Sequence, residues 1–359
     1  MTTNVQQWIP ALAGQKIANY RLDSKPLGAG GFGVVFSATD DTDGSISAIK
    51  ILVPGSSTEN QSDFDNEGIL LQKLAGSLNI VQLTGKSDMF DMPISTPGAN
   101  GFQVPITMPV KFHVLEIANG GLDRYLAGRD LTWVEILSLW RDIVCGAHQM
   151  HLKRVAHRDL KSSNCLMFKK PKFREIVKLT DLGRSRDLNE PARHRPNAYV
   201  MGLGDLSYAP PEFIFLQGQD TERAHRDADL YGLGSILIEI VTGVSLTRQI
   251  FPDINSAIND AINNSRMGVG VVLSSLRPTV VSTILAMEED VPRIIRQRIV
   301  NLLLTLCDPE PEKRRKVEGV TNKLQKNSLE AIIRQIDIAV RQLTVEERSM
   351  RKLAAKRGA

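Results

Sequence analysis

His157-Arg158-Asp159-Leu160-Lys161-Ser162-Ser163-Asn164 is the stretch on which the reading of this chain turns, and Asp181-Leu182-Gly183 begins 22 residues after Asp159. Between the two lie short runs with strand character, 165–168 and 176–180, joined by the basic turn Lys169-Lys170-Pro171-Lys172-Phe173-Arg174-Glu175. Apolar residues recur with helical period over 131–151 on one side and 230–242 on the other. This part of the chain is therefore expected to be helix-rich, with the polar cluster carried on a loop before a small hairpin.

The chain has a different character before residue 119. Strand-like runs at 20–27, 34–39 and 47–52 are separated by the glycine cluster Gly28-Ala29-Gly30-Gly31-Phe32-Gly33 and by the turn Asp40-Asp41-Thr42-Asp43-Gly44-Ser45. That order predicts an antiparallel meander. A dinucleotide-binding turn would need a helix directly after the glycines. A β-branched run follows instead, so the glycines close a hairpin whose backbone amides can cover phosphates. Phe64, Glu67, Leu70, Leu71 and Leu74 then follow helical spacing. Two further strands are expected at 79–84 and 111–117, with the Pro/Gly-rich stretch 88–109 as an inserted surface loop.

Composition excludes several classes. No run approaches the roughly 18 apolar residues that span a bilayer, and the N-terminus has neither a basic start nor an apolar core that would predict a secretory leader. Cys145, Cys165 and Cys307 have no metal-like spacing and read as reduced thiols. The six histidines form no zinc pattern. Net charge is +4, but residues 313–359 alone hold 13 Lys/Arg against 5 Asp/Glu, so the basic character belongs to the tail.

Taken in order, the glycine loop, Lys50 within Ala48-Ile49-Lys50, Glu67 on the next helix, the stretch from His157 to Asn164 and Asp181-Leu182-Gly183 resemble the eukaryotic-type (Hanks-type) serine/threonine protein kinase family. Pro210-Pro211-Glu212, Asp229-Leu230-Tyr231-Gly232-Leu233-Gly234 and Arg314 extend the resemblance, which covers residues 20–326. It implies an α+β, bilobal protein kinase fold with a small β-rich N-lobe and a larger helical C-lobe. The corresponding division is an extension at 1–19, the N-lobe at 20–117, the C-lobe at 118–326 and a basic helical tail at 327–359.

The resemblance also implies a function: an active cytoplasmic kinase that uses ATP and Mg²⁺ to move the γ-phosphate onto Ser or Thr hydroxyls of protein substrates. Gly28, Gly30 and Gly33 would cover the phosphates, while Val35, Ala48 and Leu166 would sandwich the adenine. The backbones of Glu116 and Ala118 would meet the adenine edge, beside Leu115 at the gatekeeper position. Lys50 would hold the α- and β-phosphates and be oriented by Glu67, and Asn164 with Asp181 would bind Mg²⁺. Asp159 would orient the acceptor hydroxyl and take its proton, and Lys161 would steady the transferred phosphate. A lysine two residues after that aspartate is the Ser/Thr pattern. Glu212 and Arg314 would form a buried ion pair. Two alternatives are a nucleotide-binding, pseudokinase-like interaction module and a small-molecule kinase on the same fold. The intact ionic residues speak against the first, and the 204–212 segment against the second.

The chain departs from the family pattern at Leu182, where phenylalanine is usual, and at Asp205, where threonine is usual. Asp205 would bring a second carboxylate near Asp159 and Lys161. From 184 to 204 only Ser185 and Tyr199 can accept a phosphate, in a loop made basic by Arg184, Arg186, Arg193, His194 and Arg195. In the tail, Leu329, Ile332, Ile333, Ile336, Val340 and Leu343 make an apolar stripe, and Thr344 with Glu347 resembles a capping box opening another helix. The stripe is expected to dock on the large lobe, with a partner-binding basic arm as the alternative. Nucleic-acid recognition has no aromatic or groove-reading motif behind it.

Overall fold

Alternation of apolar residues along 34–38 and 49–51 asks for a sheet with one fully buried face, and that sheet is present. The structure, a computed structural model, describes residues 5–31, 33–97, 103–169, 174–192, 204–315 and 329–357. The basic loop positions Arg193, His194, Arg195 and Tyr199, part of the 169–175 turn and residues 316–328 lie outside the described residues. The chain divides into two compact units, Met1–Asn119 with Asp181–Gly183, and Gly120–Thr180 with Arg184–Ala359. The first is β-rich and the second mainly helical.

In the first unit, strands β1 (Lys16–Ile17), β2 (Tyr20–Ala29), β3 (Gly33–Asp40), β4 (Ile46–Leu52), β5 (Asp88–Pro97) and β6 (Gln103–Leu115) form one sheet in the order β1-β2-β3-β4-β6-β5. Every pairing is antiparallel. Because side chains alternate faces, the register Val34↔Ile51, Phe36↔Ile49 and Ile49↔Val114 lines up one apolar face. Leu12, at the end of α1 (Ile9–Leu12), and Ile17 pack into that core, so the segment before Tyr20 belongs to the body of the sheet. The register Val35↔Lys50, Lys50↔His113 and Ala48↔Leu115 puts Val35, Ala48, Lys50, His113 and Leu115 together on the other face. Helix α2 (Thr58–Lys73) starts at Ser57, whose hydroxyl accepts the Asn60 N–H, and buries Phe64, Glu67, Leu70 and Leu71 at helical spacing.

Two expectations for this unit are corrected. Residues 88–97 and 103–109 are not a surface loop but lie in strands β5 and β6, paired from Asp88↔Phe112 to Pro97↔Gln103. Their prolines, Pro93, Pro97, Pro105 and Pro109, all fall in one alternating class of pairs. A ladder tolerates proline where the missing N–H points away from the partner strand, so the four can coexist with pairing. Conversely, 79–84 is not a continuous strand: it holds isolated bridges at Ile80 and Leu83, the latter to Leu115. The Gln82 side chain occupies the local backbone instead, accepting from Gly76 N and donating to the carbonyls of Ser77 and Ile80.

The second unit contains β7 (Gly120–Gly121), β9 (Cys165–Phe168) and β10 (Ile176–Leu179) in one small sheet, and β8 (Val155–Ala156) paired with β11 (Arg186–Asp187). Its helices are α3 (Leu122–Leu126), α4 (Trp133–Leu152), α5 (Pro211–Ile214), α6 (Glu222–Thr242), α7 (Leu246–Ile250), α8 (Ile254–Arg266), α9 (Arg277–Ala286), α10 (Arg293–Leu306) and α11 (Glu330–Arg357). Helix α4 opens with the capping box Thr132/Glu135. It packs on α6, where buried Trp140 donates its indole N–H to the Leu233 carbonyl at 2.8 Å. Leu160 also packs on α6: a Cβ at Gly232 would come within 2.9 Å of its own Cβ.

The apolar stripe of the tail docks as expected. Leu329, Ile332, Ile336 and Leu343 are buried, and Arg141 of α4 meets Asp337 at 2.6 Å. The expected helix break at Thr344 is absent. Helix α11 runs unbroken through it, and the Thr344 hydroxyl donates back to the Val340 carbonyl, the usual satisfaction of a threonine inside a helix.

Candidate active site

Each unit carries one group of functional candidates. In the first, Lys50 lies on the sheet face covered by α2, with its ammonium 2.5 Å from Glu67 Oε2 and 3.1 Å from Asp181 Oδ1. Burial by itself would lower the Lys50 pKa; the Asp181 and Glu67 carboxylates overcome it and leave the pKa raised. Glu67 is 1% exposed, and burial pushes its carboxyl upward against the pull of Lys50. The Asp181 side chain is 42% exposed, so the lysine joins a buried carboxylate to one that is open to a ligand.

Asp181 has φ +60°, in the left-handed region that ordinary residues occupy only under constraint. Asn66, next to Glu67 on α2, supplies that constraint: its amide donates to the Gly183 carbonyl at 2.8 Å and the Leu182 carbonyl at 3.4 Å. A Cβ at Gly183 would lie 3.1 Å from the Asp63 carbonyl, so the triplet approaches the helix closely. Leu182 is fully buried, as an apolar side chain in the phenylalanine slot must be.

The glycine loop continues the same sheet. Gly30 N–H donates to the Gly33 carbonyl at 2.8 Å, and Gly28 pairs with Val35. Among the described residues, a Cβ at Gly28 or Gly30 would meet nothing within 4 Å, whereas one at Gly33 would press on the Ile51 carbonyl at 3.1 Å. Packing accounts for Gly33 alone. Glu116 is tied to the preceding loop, its N–H donating to the Gln82 carbonyl and its Oε1 accepting the Gln82 N–H.

In the second unit, the turn carrying Asp159 is fixed from below by Asp229. The Asp229 carboxylate accepts the N–H groups of His157 and Arg158, each at 2.9 Å, and meets His151 Nε2 at 2.8 Å. Burial would raise the Asp229 pKa; these partners overcome it and leave it lowered. The arrangement offsets the left-handed φ of +68° at Arg158. Both Asp159 oxygens are then held: Oδ2 lies 3.0 Å from Lys161 Nζ and from Asn164 Nδ2, and Oδ1 accepts the Asp205 N–H at 3.3 Å.

Because the Asn164 amide nitrogen faces Asp159, its Oδ1 is turned the other way. Asn164 and Asp181 thus each offer oxygen, the donor type that a hard divalent cation takes. Among the described residues no group of three or more His, Cys, Asp or Glu forms a metal cage. Leu166, on β9, is half-buried.

A protein kinase domain model matches residues 22–324 of the chain. The chain belongs to the protein kinase family. Among its relatives are three Arabidopsis thaliana kinases, of which a G-type lectin S-receptor-like serine/threonine-protein kinase is 30% identical over 64% of this chain and 25% of its own length. Calmodulin-binding receptor-like cytoplasmic kinase 3 is 29% identical over 62% and 39%, and calcium-dependent protein kinase 33 is 28% identical over 62% and 37%. The matched region of this kinase chain thus spans about a quarter to two fifths of these relatives.

Asp205 and Ser185, both singled out in the sequence, gain a physical description. Asp205 accepts the Ser207 N–H at 3.0 Å, capping a short turn as a threonine also can, while its other oxygen lies 3.8 Å from Lys161. Ser185 is 3% exposed and donates to the His157 carbonyl. The expected Glu212–Arg314 pair is present as two parallel bonds of 2.7 Å.

Sequence reasoning missed Asn66 and the link from the 157–164 loop to α6, where Glu239 accepts from Ser162 and Tyr208. A polar residue beside Glu67 on an otherwise apolar helix stripe was the available signal for Asn66. Glu239 had none, since its partners lie 77 and 31 residues away.

Proposed function

We propose that this chain is an active Ser/Thr protein kinase using ATP and Mg²⁺. The observation that carries the reading is the assembly of Lys50, Glu67 and Asp181, with Lys50 and Asp181 131 residues apart in sequence yet 3.1 Å apart in space. A buried ion pair that ends in an open carboxylate is costly as mere structure and useful for holding a metal-bound polyphosphate.

When bound, Mg·ATP supplies the phosphoryl group and the divalent charge that neutralises its oxygens. Lys50, aimed by Glu67, would grip the α- and β-phosphates. Asp181 and Asn164 would hold the metal through oxygen. The amides of Gly28 and Gly30 would cover the phosphates. Val35, Ala48 and Leu166 would enclose the adenine, whose edge would meet the Glu116 and Ala118 backbones. The Glu116 N–H is committed to Gln82, so the contact there runs through its carbonyl. Asp159, held by Lys161 and Asn164, accepts the hydrogen bond of the incoming hydroxyl and takes its proton late in transfer. Lys161 balances charge on the transferred group.

Lys161 two residues beyond Asp159, and the printed names of the relatives, support a Ser/Thr hydroxyl on a protein acceptor. The proposed workplace is the cytoplasm. One relative is named a cytoplasmic kinase and others receptor-like kinases, and no helix among the described residues is long and apolar enough to cross a membrane. The test is transfer from γ-labelled ATP to a generic protein acceptor, followed by phosphoamino-acid analysis. Label on serine or threonine that disappears in Lys50→Met supports the reading; no transfer, or label on tyrosine alone, contradicts it.

A further inference from the structure

His113 is a polar residue in the apolar run of β6 and is 2% exposed. It stands directly across the strand pair from Lys50. Its ring stacks on Phe64 of α2, with centroids 3.9 Å apart and planes 8° from parallel. Nε2 lies 3.0 Å from the Phe64 carbonyl, which can only accept, so Nε2 carries the proton. Nδ1 then accepts from the Ser87 hydroxyl at 2.7 Å. One turn further along α2 the helix comes close enough that a Cβ on Gly68 would stand 2.9 Å from the imidazole Cε1. The turn from Phe64 to Gly68 is thus stacked on, bonded to and sterically limited by one ring, and Glu67 lies within it.

Charge explains why the ring is an imidazole and not a longer cation. Lys50 on β4 and Lys111 on β6 both face it unfavourably, and Asp65 on α2 favourably. Burial and the two lysines hold the imidazole neutral, against the opposing pull of the Phe64 carbonyl and Asp65. A second permanent cation there would compete with Lys50 for Glu67.

We propose that His113 is a positioning residue for the Lys50–Glu67 pair, an uncharged wedge that fixes the Phe64–Gly68 turn of α2 at the depth where Glu67 reaches the ammonium. The proposal deepens the kinase reading and rests on it for its catalytic consequence, but the geometric claim can be read without catalysis. A displaced Glu67 releases its 2.5 Å ion pair with Lys50, so the Lys50 side chain is no longer held and acylates faster.

The test measures acetylation of Lys50 by mass spectrometry at about pH 8 in the full chain, comparing wild type, His113→Phe, Gly68→Ala, Glu67→Gln and the His113→Phe/Glu67→Gln double variant. The expected result is several-fold faster labelling in His113→Phe and Gly68→Ala. The double variant should be no faster than Glu67→Gln alone, because both changes act through one contact.

Gly68→Ala raises helix propensity and keeps the imidazole, so it tests depth in a variant expected to fold even if His113→Phe does not. Unchanged Lys50 labelling in Gly68→Ala and in folded His113→Phe overturns the proposal, as does a double variant whose effect is the product of the singles. Transfer rates measured in parallel separate the two claims. Wild type without Lys50-dependent transfer refutes the kinase reading, whereas normal kcat in variants with faster labelling refutes the catalytic consequence alone.

Discussion

Glu212→Gln isolates the cost of a buried charge left without its counter-charge. Arg314 is fully buried, and Glu212 is 5% exposed. Besides its two 2.7 Å bonds to Glu212, the guanidinium donates to the carbonyls of Asp308 and Asp227 and lies 5.1 Å from the Tyr231 ring centre. Breaking such a pair from one side costs about 3–5 kcal/mol. The carbonyls and the aromatic face remain and keep part of the solvation, so the lower end, about 3 kcal/mol, is expected. For a domain of about 150–250 residues this is a fall of roughly 6–12 °C in Tm. Thermal and urea unfolding of wild type and variant measure it directly. Replacing both partners, as Glu212→Leu/Arg314→Met, should recover much of the loss because no charge is then stranded. A loss below about 1 kcal/mol, the range of an exposed pair, would refute the argument, as would a double variant worse than the single.

Three further outcomes follow from the geometry. His113 has its pKa lowered to about 4, chiefly by burial, against about 6.5 in an unfolded chain. The unfolded state therefore binds a proton first: the stability due to neutral His113 is complete above about pH 6.5 and falls by up to about 3 kcal/mol as pH drops to about 4. Urea midpoints against pH should show that component in wild type and not in His113→Phe, although half-buried His148 and buried His225, also lowered, leave a common slope in both. Asp181→Asn should weaken Mg·ATP binding by calorimetry with a smaller change in Tm than Glu212→Gln, since its carboxylate is 42% exposed where Glu212 is buried; unchanged affinity would remove it from the metal site. Ser185 is buried, so activity should not depend on loop phosphorylation: Ser185→Ala/Tyr199→Phe should stay active and phosphatase should leave the wild type unaffected, and loss in both cases would make the loop an ordinary phosphorylation switch.

Much of the fold and the identity of the candidate site could be read from the residues, because both depend on local pattern. Strands β2, β3 and β4, helix α2 and helix α4 announce themselves by period. Lys50, Glu67, Asp159, Asn164 and Asp181 announce themselves by ordered spacing. The β5–β6 hairpin did not, since four prolines disguise a ladder that needs only alternate N–H groups. Residues 79–84 misled in the opposite sense, with apolar side chains that are buried from a loop whose backbone Gln82 satisfies. The unbroken helix through Thr344 turns on one hydroxyl choosing the Val340 carbonyl over a capping role. Asn66 and His113 act where α2 meets the 181–183 triplet or strand β6, and such meetings are set by packing depth, which no spacing encodes.

The central claim is that Asp159 serves the acceptor and not the nucleotide. It is tested most directly by measuring phosphoryl transfer and Mg·ATP affinity side by side in wild type and Asp159→Asn. The account predicts a fall in transfer of about 10²–10⁴-fold with affinity nearly unchanged. Equal transfer rates in the two proteins would contradict it.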